Sequence, residues 1–165
     1  WIFSGAIQSV QGQPGLGETV AVHDAHGQFL AWGAYSPNSQ IRARLCSWDE
    51  TQIIDPLFFR DRISGALQLR EAWIDRGKTS AYRLIHAESD GLPGLVVDRY
   101  EDTLVMQILS AGMEHWRSEI VKLLAEMLSP EAIYERSDVQ VRALEGLPER
   151  NALVMGILSK RPMMI

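Results

Sequence analysis

The chain has 165 residues, with 16 Lys and Arg against 21 Asp and Glu, a net charge of −5 and one cysteine. This length holds one domain or two small ones and excludes a TIM barrel, while an apolar fraction of 46% excludes a disordered chain. The lone Cys46 excludes a disulfide framework, and no run approaches the ~20 apolar residues of a membrane span. We expect a cytoplasmic protein with no membrane partner, and the acidic balance argues weakly against nucleic acid.

The first 50 residues predict consecutive short strands. Residues 19–24 alternate between apolar and polar at period two, and a turn leads into a return strand over 28–35. A further alternating strand is predicted over 40–48, after a loop that contains Pro37. A sheet of so few strands must close on itself to hide its edges. The sequence therefore predicts a compact, largely antiparallel barrel.

The last of these strands carries a possible nucleic-acid surface. Its alternation places Arg42, Arg44 and Cys46 on one face, opposite Ile41, Ala43 and Leu45. With Tyr35, Trp32 and Trp48 nearby, an outward face bearing Arg42 and Arg44 would offer phosphate contacts and a stacking surface for unpaired bases. The alternative is a solvated strand face whose arginines deter edge pairing.

From residue 55 onward the period becomes helical. Asp55 is a good N-cap, Pro56 suits the first helical position, and Gly77 is expected to end the helix. The predicted buried stripe consists of Phe59, Ile63, Ala66, Leu67, Leu69, Trp73 and Ile74. We expect this helix, within residues 51–78, to link two domains.

The second half predicts an α+β unit. Three strands over 82–87, 95–100 and 103–109 form a meander with a hairpin at 101–102. A helix over 113–128 would bury a stripe made of Trp116, Ile120, Leu123, Leu124 and Met127. Later elements are a strand over 132–136, a short helix over 139–144 and a last strand over 153–158. The sequence therefore predicts a meander, a crossover helix and a strand that returns to the sheet.

The densest polar cluster lies at the end of the strand over 82–87. His86, Glu88 and Asp90 could form an acid/base or metal site, since the first two would share a strand face. The alternative is a strand end that enters a tight turn, because Asp90-Gly91 and Pro93-Gly94 are ordinary turn dipeptides. No second His or Cys stands at ligand spacing, which argues against a metal.

Cys46 is a weak candidate for a nucleophile. A thiolate attacks carbon once its pKa is lowered, but a catalytic cysteine needs a paired base and a turn that presents it. Cys46 lies in the middle of a strand, so we interpret it as structural. The glycine-rich run over 12–17 lacks both a Walker lysine and a following helix, so no nucleotide site is visible.

Four segments carry a family resemblance. Residues 1–5, 33–44, 83–100 and 133–139 resemble bacterial class I S-adenosylmethionine-dependent methyltransferases of large-subunit ribosomal RNA, nearest to those that form 5-methylcytosine in 23S rRNA. The third segment, Arg-Leu-Ile-His-Ala-Glu-Ser-Asp-Gly-Leu-Pro-Gly-Leu-Val-Val-Asp-Arg-Tyr, is the longest. The resemblance covers the whole chain in order.

The resemblance implies a PUA domain, a small pseudo-barrel that binds structured RNA, over residues 1–50. It implies a central α+β domain over 79–165, after the linking helix at 51–78. It further implies a Rossmann-like methyltransferase domain that binds S-adenosylmethionine and carries the catalytic cysteine, and no segment of this chain matches that domain. We therefore expect a fragment that lacks the catalytic domain.

The sequence thus predicts the RNA-binding and scaffold portion of a 23S rRNA (cytosine-C5) methyltransferase, inactive by itself. Its expected partners are 23S rRNA and the missing C-terminal methyltransferase domain, and the candidate RNA-binding residues are Arg42, Arg44 and Tyr35. We expect no catalytic residue, cofactor or metal in this chain. One alternative is an interaction module with an apolar patch near the C-terminus that docks a catalytic domain, and the other is a small enzyme using His86, Glu88 and Asp90.

Overall fold

The structure, a computed structural model, describes residues 1–75 and 77–158 and arranges the strands in two sheets. The first sheet contains β1 (Ile2–Phe3), β2 (Thr19–His23), β3 (Phe29–Tyr35) and β4 (Ile41–Ser47). Its order is β1-β4-β3-β2, and all neighbours are antiparallel. The three strands predicted between residues 19 and 48 are confirmed, and β1 is an addition that the sequence did not predict.

The hairpin between β2 and β3 follows from its turn residues. The carboxylate of Asp24 accepts hydrogen bonds from the backbone N–H groups of His26 and Gln28, at 2.8 and 2.9 Å. Gly27 has a φ of +81°, a left-handed conformation that glycine adopts without a Cβ clash. The prediction of a closed barrel is wrong for the described residues, because β1 and β2 stand at the two edges of an open sheet.

Helix α1 (Pro56–Trp73) begins where the sequence predicted. The side chain of Asp55 caps it by accepting from the backbone N–H of Phe58 at 3.0 Å. The helix ends at Trp73 rather than at Gly77, because Ile74 is already extended, with φ −103° and ψ 118°.

The buried stripe of α1 is shorter than predicted. The helix buries Phe58, Phe59, Ile63 and Ala66, all in the core that covers the second sheet. Leu69 and Trp73 are exposed, Trp73 to 81%, so their predicted burial is wrong. The helix therefore packs, from Phe58 to Leu67, as a layer on the second unit, which consists of the second sheet and the helices that cover it.

The second sheet is built from five strands in sequence order. They are β5 (Ala81–His86), β6 (Leu95–Tyr100), β7 (Thr103–Ile108), β8 (Ala132–Ser137) and β9 (Arg150–Gly156). All neighbours are antiparallel except β7 and β8, which are parallel. A parallel pair needs a crossover, and the predicted meander, crossover and returning strand are confirmed. The last strand begins three residues earlier than predicted.

The crossover consists of two helices instead of the single predicted one. Helix α2 (Ala111–His115) is capped by the hydroxyl of Ser110, and α3 (Arg117–Leu128) follows after a break at Trp116. The short helix α4 (Val141–Leu144) lies between β8 and β9. Helices α1 and α3 and alternate residues of β7 (Leu104, Met106 and Ile108) share one apolar core, which Met113 of α2 also joins. Gly112 of α2 lies against Ala34 of the first sheet.

Candidate nucleic-acid interface

The register between β3 and β4 decides which candidate RNA-binding residues share a face. Arg44 lies opposite Ala34, whereas Tyr35 lies opposite Ala43. Cross-strand partners share a face and successive residues alternate, so Arg42 and Arg44 are on one face and Tyr35 is on the other. The interpretation that Tyr35 stands beside the arginines on one surface is wrong.

Arg44 faces the second unit of the protein instead of solvent. Its Nη2 lies 3.0 Å from Oε1 of Glu145, and its Nη1 lies 3.5 Å from Oε1 of Glu88. The side chain is only 11% exposed. The face predicted to point outward is thus covered at Arg44, because residues far along the chain pack against it.

Trp1 closes the solvent side of this contact. The guanidinium carbon of Arg44 lies 5.0 Å from the centroid of the Trp1 ring, within the range of a cation–π interaction. The indole N–H of Trp1 donates to Oε1 of Glu88 at 3.1 Å. Arg44 is therefore held by two carboxylates and one aromatic ring.

Arg42 makes contacts of a different kind. Its guanidinium donates to the backbone carbonyls of Ser36, at 3.5 Å, and of Pro37. These carbonyl partners carry no formal charge, and the residue is half-buried. Tyr35 is also half-buried, and Trp48 is exposed at the end of the same sheet.

Cys46 lies on the same face as Arg44, against the apolar core of the second unit. Its Sγ lies 3.6 Å from the carbonyl oxygen of Trp32. Desolvation by burial raises the pKa of the Cys46 thiol from 9.0 to about 11, against a smaller lowering by the charge of Arg62. The thiol is therefore protonated at neutral pH, as a structural cysteine would be and a nucleophile would not.

His86, Glu88 and Asp90 do not converge on one site. Asp90 accepts two hydrogen bonds from the guanidinium of Arg70, both 2.7 Å long, and one from the backbone N–H of His86 at 2.6 Å. Glu88 instead binds the Arg44 and Trp1 side chains, and the His86 side chain is exposed. The acid/base or metal site considered for these three residues is therefore contradicted by their contacts.

Within residues 1–75 and 77–158, no group of three or more His, Cys, Asp or Glu is placed to hold a metal ion. In the same part of the chain, no helix has the length and apolar character needed to cross a membrane.

Sequence reasoning missed a buried polar network beside α2. Arg142 is fully buried, and its guanidinium contacts the carbonyl oxygens of Ile108 and Pro148 at 2.6 and 2.7 Å. The same group binds Glu114, at 3.1 Å, which also pairs with Arg150 at 3.2 Å. These residues are far apart in sequence and belong to no motif, so only the fold brings them together.

Several large apolar side chains are exposed towards the end of the described chain. They are Leu144, Leu153, Ile157 and Leu158. An interaction module was expected to expose apolar residues in this region, so these side chains mark the segment to test for docking.

Comparison with known proteins relates the first sheet to a domain family. Residues 1–48 match the model of the family described as "PUA-like domain". The matched residues include all four strands of the first sheet. The PUA-like character expected of this region is confirmed.

Curated relatives match the full length of the chain. A protein from Pseudoalteromonas translucida named Ribosomal RNA large subunit methyltransferase I is 47% identical over 165 residues, which is 100% of this chain and 42% of that protein. Proteins of the same name from Vibrio vulnificus and Tolumonas auensis are each 49% identical, over 100% and 94% of this chain and 41% and 39% of their own lengths. The chain thus spans about two fifths of the length of these relatives.

Solved structures share the fold. A protein from Streptococcus mutans assigned as a SAM-dependent methyltransferase superposes with a TM-score of 0.75 at 17% identity, over 96% of this chain and 39% of that chain. A methyltransferase solved with SAH gives the same TM-score at 16% identity, with the same coverage. At such identities the likeness concerns the arrangement of the two sheets and their helices.

Proposed function

We propose that this chain is the RNA-recognition and scaffold portion of an S-adenosylmethionine-dependent 23S rRNA (cytosine-C5) methyltransferase. The observation that carries the proposal is the 47–49% identity, over 94–100% of the chain, to proteins named Ribosomal RNA large subunit methyltransferase I. The PUA-like match at residues 1–48 supports RNA as the ligand of the first sheet. Its substrate would be a folded segment of 23S rRNA, recognised by shape and by phosphate contacts.

Methyl transfer belongs, in this proposal, to a methyltransferase domain outside the 165 residues. Methylation of cytosine at C5 needs a cysteine thiolate that adds to C6 and makes C5 nucleophilic towards the donor methyl group. The pKa of Cys46, about 11, and its position inside the fold make it unsuited to that role. The relatives are more than twice as long as the chain, which leaves room for a donor-binding domain.

Arg42 and Tyr35 are the residues that we propose to contact RNA directly, from opposite faces of one sheet. Arg42 is paired with neutral carbonyls, so its charge is free to attract a phosphate. The charge of Arg44, by contrast, is neutralised by the carboxylates of Glu88 and Glu145. We propose that Arg44 supports RNA binding through the orientation of the first sheet.

The proposal is tested by isothermal titration of the 165-residue chain with a 23S rRNA fragment and, separately, with S-adenosylmethionine. We expect saturable binding of the rRNA fragment, stronger than that of an unrelated RNA hairpin of the same length, and no heat with the methyl donor. Donor binding by the chain would overturn the separation of recognition from catalysis. Equal affinity for both RNAs would overturn the assignment to 23S rRNA.

A second function, compatible with the first, is docking of the catalytic domain. The exposed side chains of Leu144, Leu153, Ile157 and Leu158 favour it, since apolar surface of this kind is buried at interfaces. The proposed occupant is the methyltransferase domain of the same protein.

A further inference from the structure

The contact between the two sheets centres on one buried ion pair. Arg44 of β4 and Glu145, which follows α4, are joined at 3.0 Å, and the Glu145 side chain is only 2% exposed. The second carboxylate oxygen of Glu145 accepts from the backbone N–H of Ala111, the first residue of α2, at 3.2 Å. Glu145 therefore ties the first sheet to the crossover of the second sheet through a single carboxylate.

A second arm of the contact reaches the start of the chain. Glu88 follows β5 and accepts from both Arg44 and Trp1. Trp1 precedes the edge strand β1 and stacks beside the Arg44 guanidinium. Strand β4, through Arg44, and the residue before β1, Trp1, are thus bound to the second unit at Glu145 and Glu88.

Three glycines bring the backbones of the two units together around these side chains. A Cβ at Gly112 would overlap the Cβ of Ala34, and a Cβ at Gly17 would overlap the backbone carbonyl of Ala111. A Cβ at Gly146 would overlap the side-chain amide of Asn38. The absence of side chains at these three points lets α2 and the turn after α4 lie directly against the first sheet.

Close packing and a buried charge pair have different consequences for movement. Apolar packing alone is non-directional. In a buried ion pair, the attraction between the two charges offsets the cost of removing them from water, and this attraction is lost as soon as the charges separate. A tilt of the first sheet that moved Arg44 away from Glu145 would leave a carboxylate with almost no access to water. The pair therefore raises the free-energy cost of rotating one sheet against the other above the cost that apolar packing alone would impose.

We propose that Arg44 and Glu145 are positioning residues that fix the orientation of the first sheet on the second unit, so that both move as one body. Glu88 and Trp1 limit the same rotation from the solvent side. In this role Arg44 acts through the geometry of the fold, and its function requires no RNA. The orientation of the first sheet can therefore be measured without RNA, independently of the proposed function.

The test is a distance measurement between spin labels placed on the two units. Cysteines are introduced at two exposed positions, Gln28 in the β2–β3 turn and Lys122 on α3, in the 165-residue chain with Cys46→Ala. Pulsed electron paramagnetic resonance then reports the distribution of the distance between the labels. We expect one narrow distribution for this reference protein, because the two units have one relative orientation.

Arg44→Ala and Glu145→Gln are the test variants, and we expect each to broaden the distribution about twofold. Arg42→Ala is the matched control, because Arg42 lies on the same strand and face but, among the described residues, donates to Ser36 and Pro37 in the loop after β3; its distribution should stay narrow. Arg44→Lys keeps the cation and should restore part of the narrow width, whereas Arg44→Met fills similar space without a charge and should restore none of it.

The proposal is overturned if Arg44→Ala and Glu145→Gln are folded by circular dichroism and keep the reference distribution. If Arg44→Ala does not fold, Glu145→Gln decides alone, because glutamine keeps the shape and an acceptor for Ala111 while removing the charge. A broad distribution in that variant supports the proposal, and an unchanged one refutes it.

Discussion

Replacing Arg42 and Arg44 separately by alanine should distinguish a phosphate contact from a positioning contact. Each phosphate neutralised by a cationic side chain adds about 0.7 to 0.9 to the slope of log affinity against log salt concentration. Over the range from about 50 to about 200 mM KCl, one such contact therefore corresponds to about a threefold change in affinity.

The structure assigns different outcomes to the two arginines. Arg42 donates to the carbonyls of Ser36 and Pro37, so its loss should remove one full charge from the proposed RNA-binding surface and lower the slope by about 0.7 to 0.9. Arg44 is already neutralised by carboxylates and is 11% exposed. Its loss should weaken RNA binding by disturbing orientation while the slope stays that of the unmodified chain.

Fluorescence anisotropy of a labelled 23S rRNA fragment at several KCl concentrations measures both slopes. Arg60→Ala is a suitable control, because Arg60 is a partly exposed arginine of α1 that pairs with Glu126 on α3 at 2.6 Å. The control should change neither affinity nor slope. The reasoning is refuted if Arg44→Ala lowers the slope as much as Arg42→Ala does.

Two further predictions concern stability. The pKa of Cys46 rises from 9.0 to about 11 on folding, so its contribution to the free energy of unfolding is fully present below pH 9 and is lost towards pH 11. In urea titrations, Cys46→Ala should reduce the loss of unfolding free energy between pH 9 and pH 11 by roughly 2 to 3 kcal/mol. An unchanged loss would contradict the conclusion that burial raises the pKa of Cys46. Gly112→Ala should cost about 1 to 3 kcal/mol in urea titrations because its methyl group meets Ala34. Ala34→Gly should rescue it, and Gly65→Ala in the open on α1 should instead add up to about 1 kcal/mol; equal effects of the two glycine substitutions would contradict the steric account.

Features with local causes could be predicted from the sequence. Asp55 and Pro56 fix the start of α1 because an N-cap acts within one helical turn. The alternation over β4 and the two-residue turn at 101–102 depend only on neighbouring residues, and both are confirmed. The succession of strands and helices in the second half followed from the change of hydrophobic period along the chain.

Features that depend on distant segments could not be predicted. The periodicity of α1 places Trp73 on the same face as Ala66, two turns earlier, but the apolar core of the second unit reaches along the helix only as far as Leu67. Likewise, alternation correctly placed Arg44 on the same face as Arg42, but that face was predicted to point outward because the sequence could not show that Glu145, some hundred residues later, would cover it. Tyr35 was placed beside the arginines because it is near in sequence, whereas the strand register sets it on the opposite face.

The five-residue helix α2 belongs to the crossover between β7 and β8 and also lies against β3. This double use has a consequence for protein engineering. A chimera that exchanges residues 1–48 for a different PUA-like domain would remove the surface against which α2 packs, and leave Glu145 without its cation. Such a graft needs a small residue in the place of Ala34 and a cation in the place of Arg44. Residues 1–48 can therefore be exchanged only for a domain that matches the surface formed by α2 and Glu145.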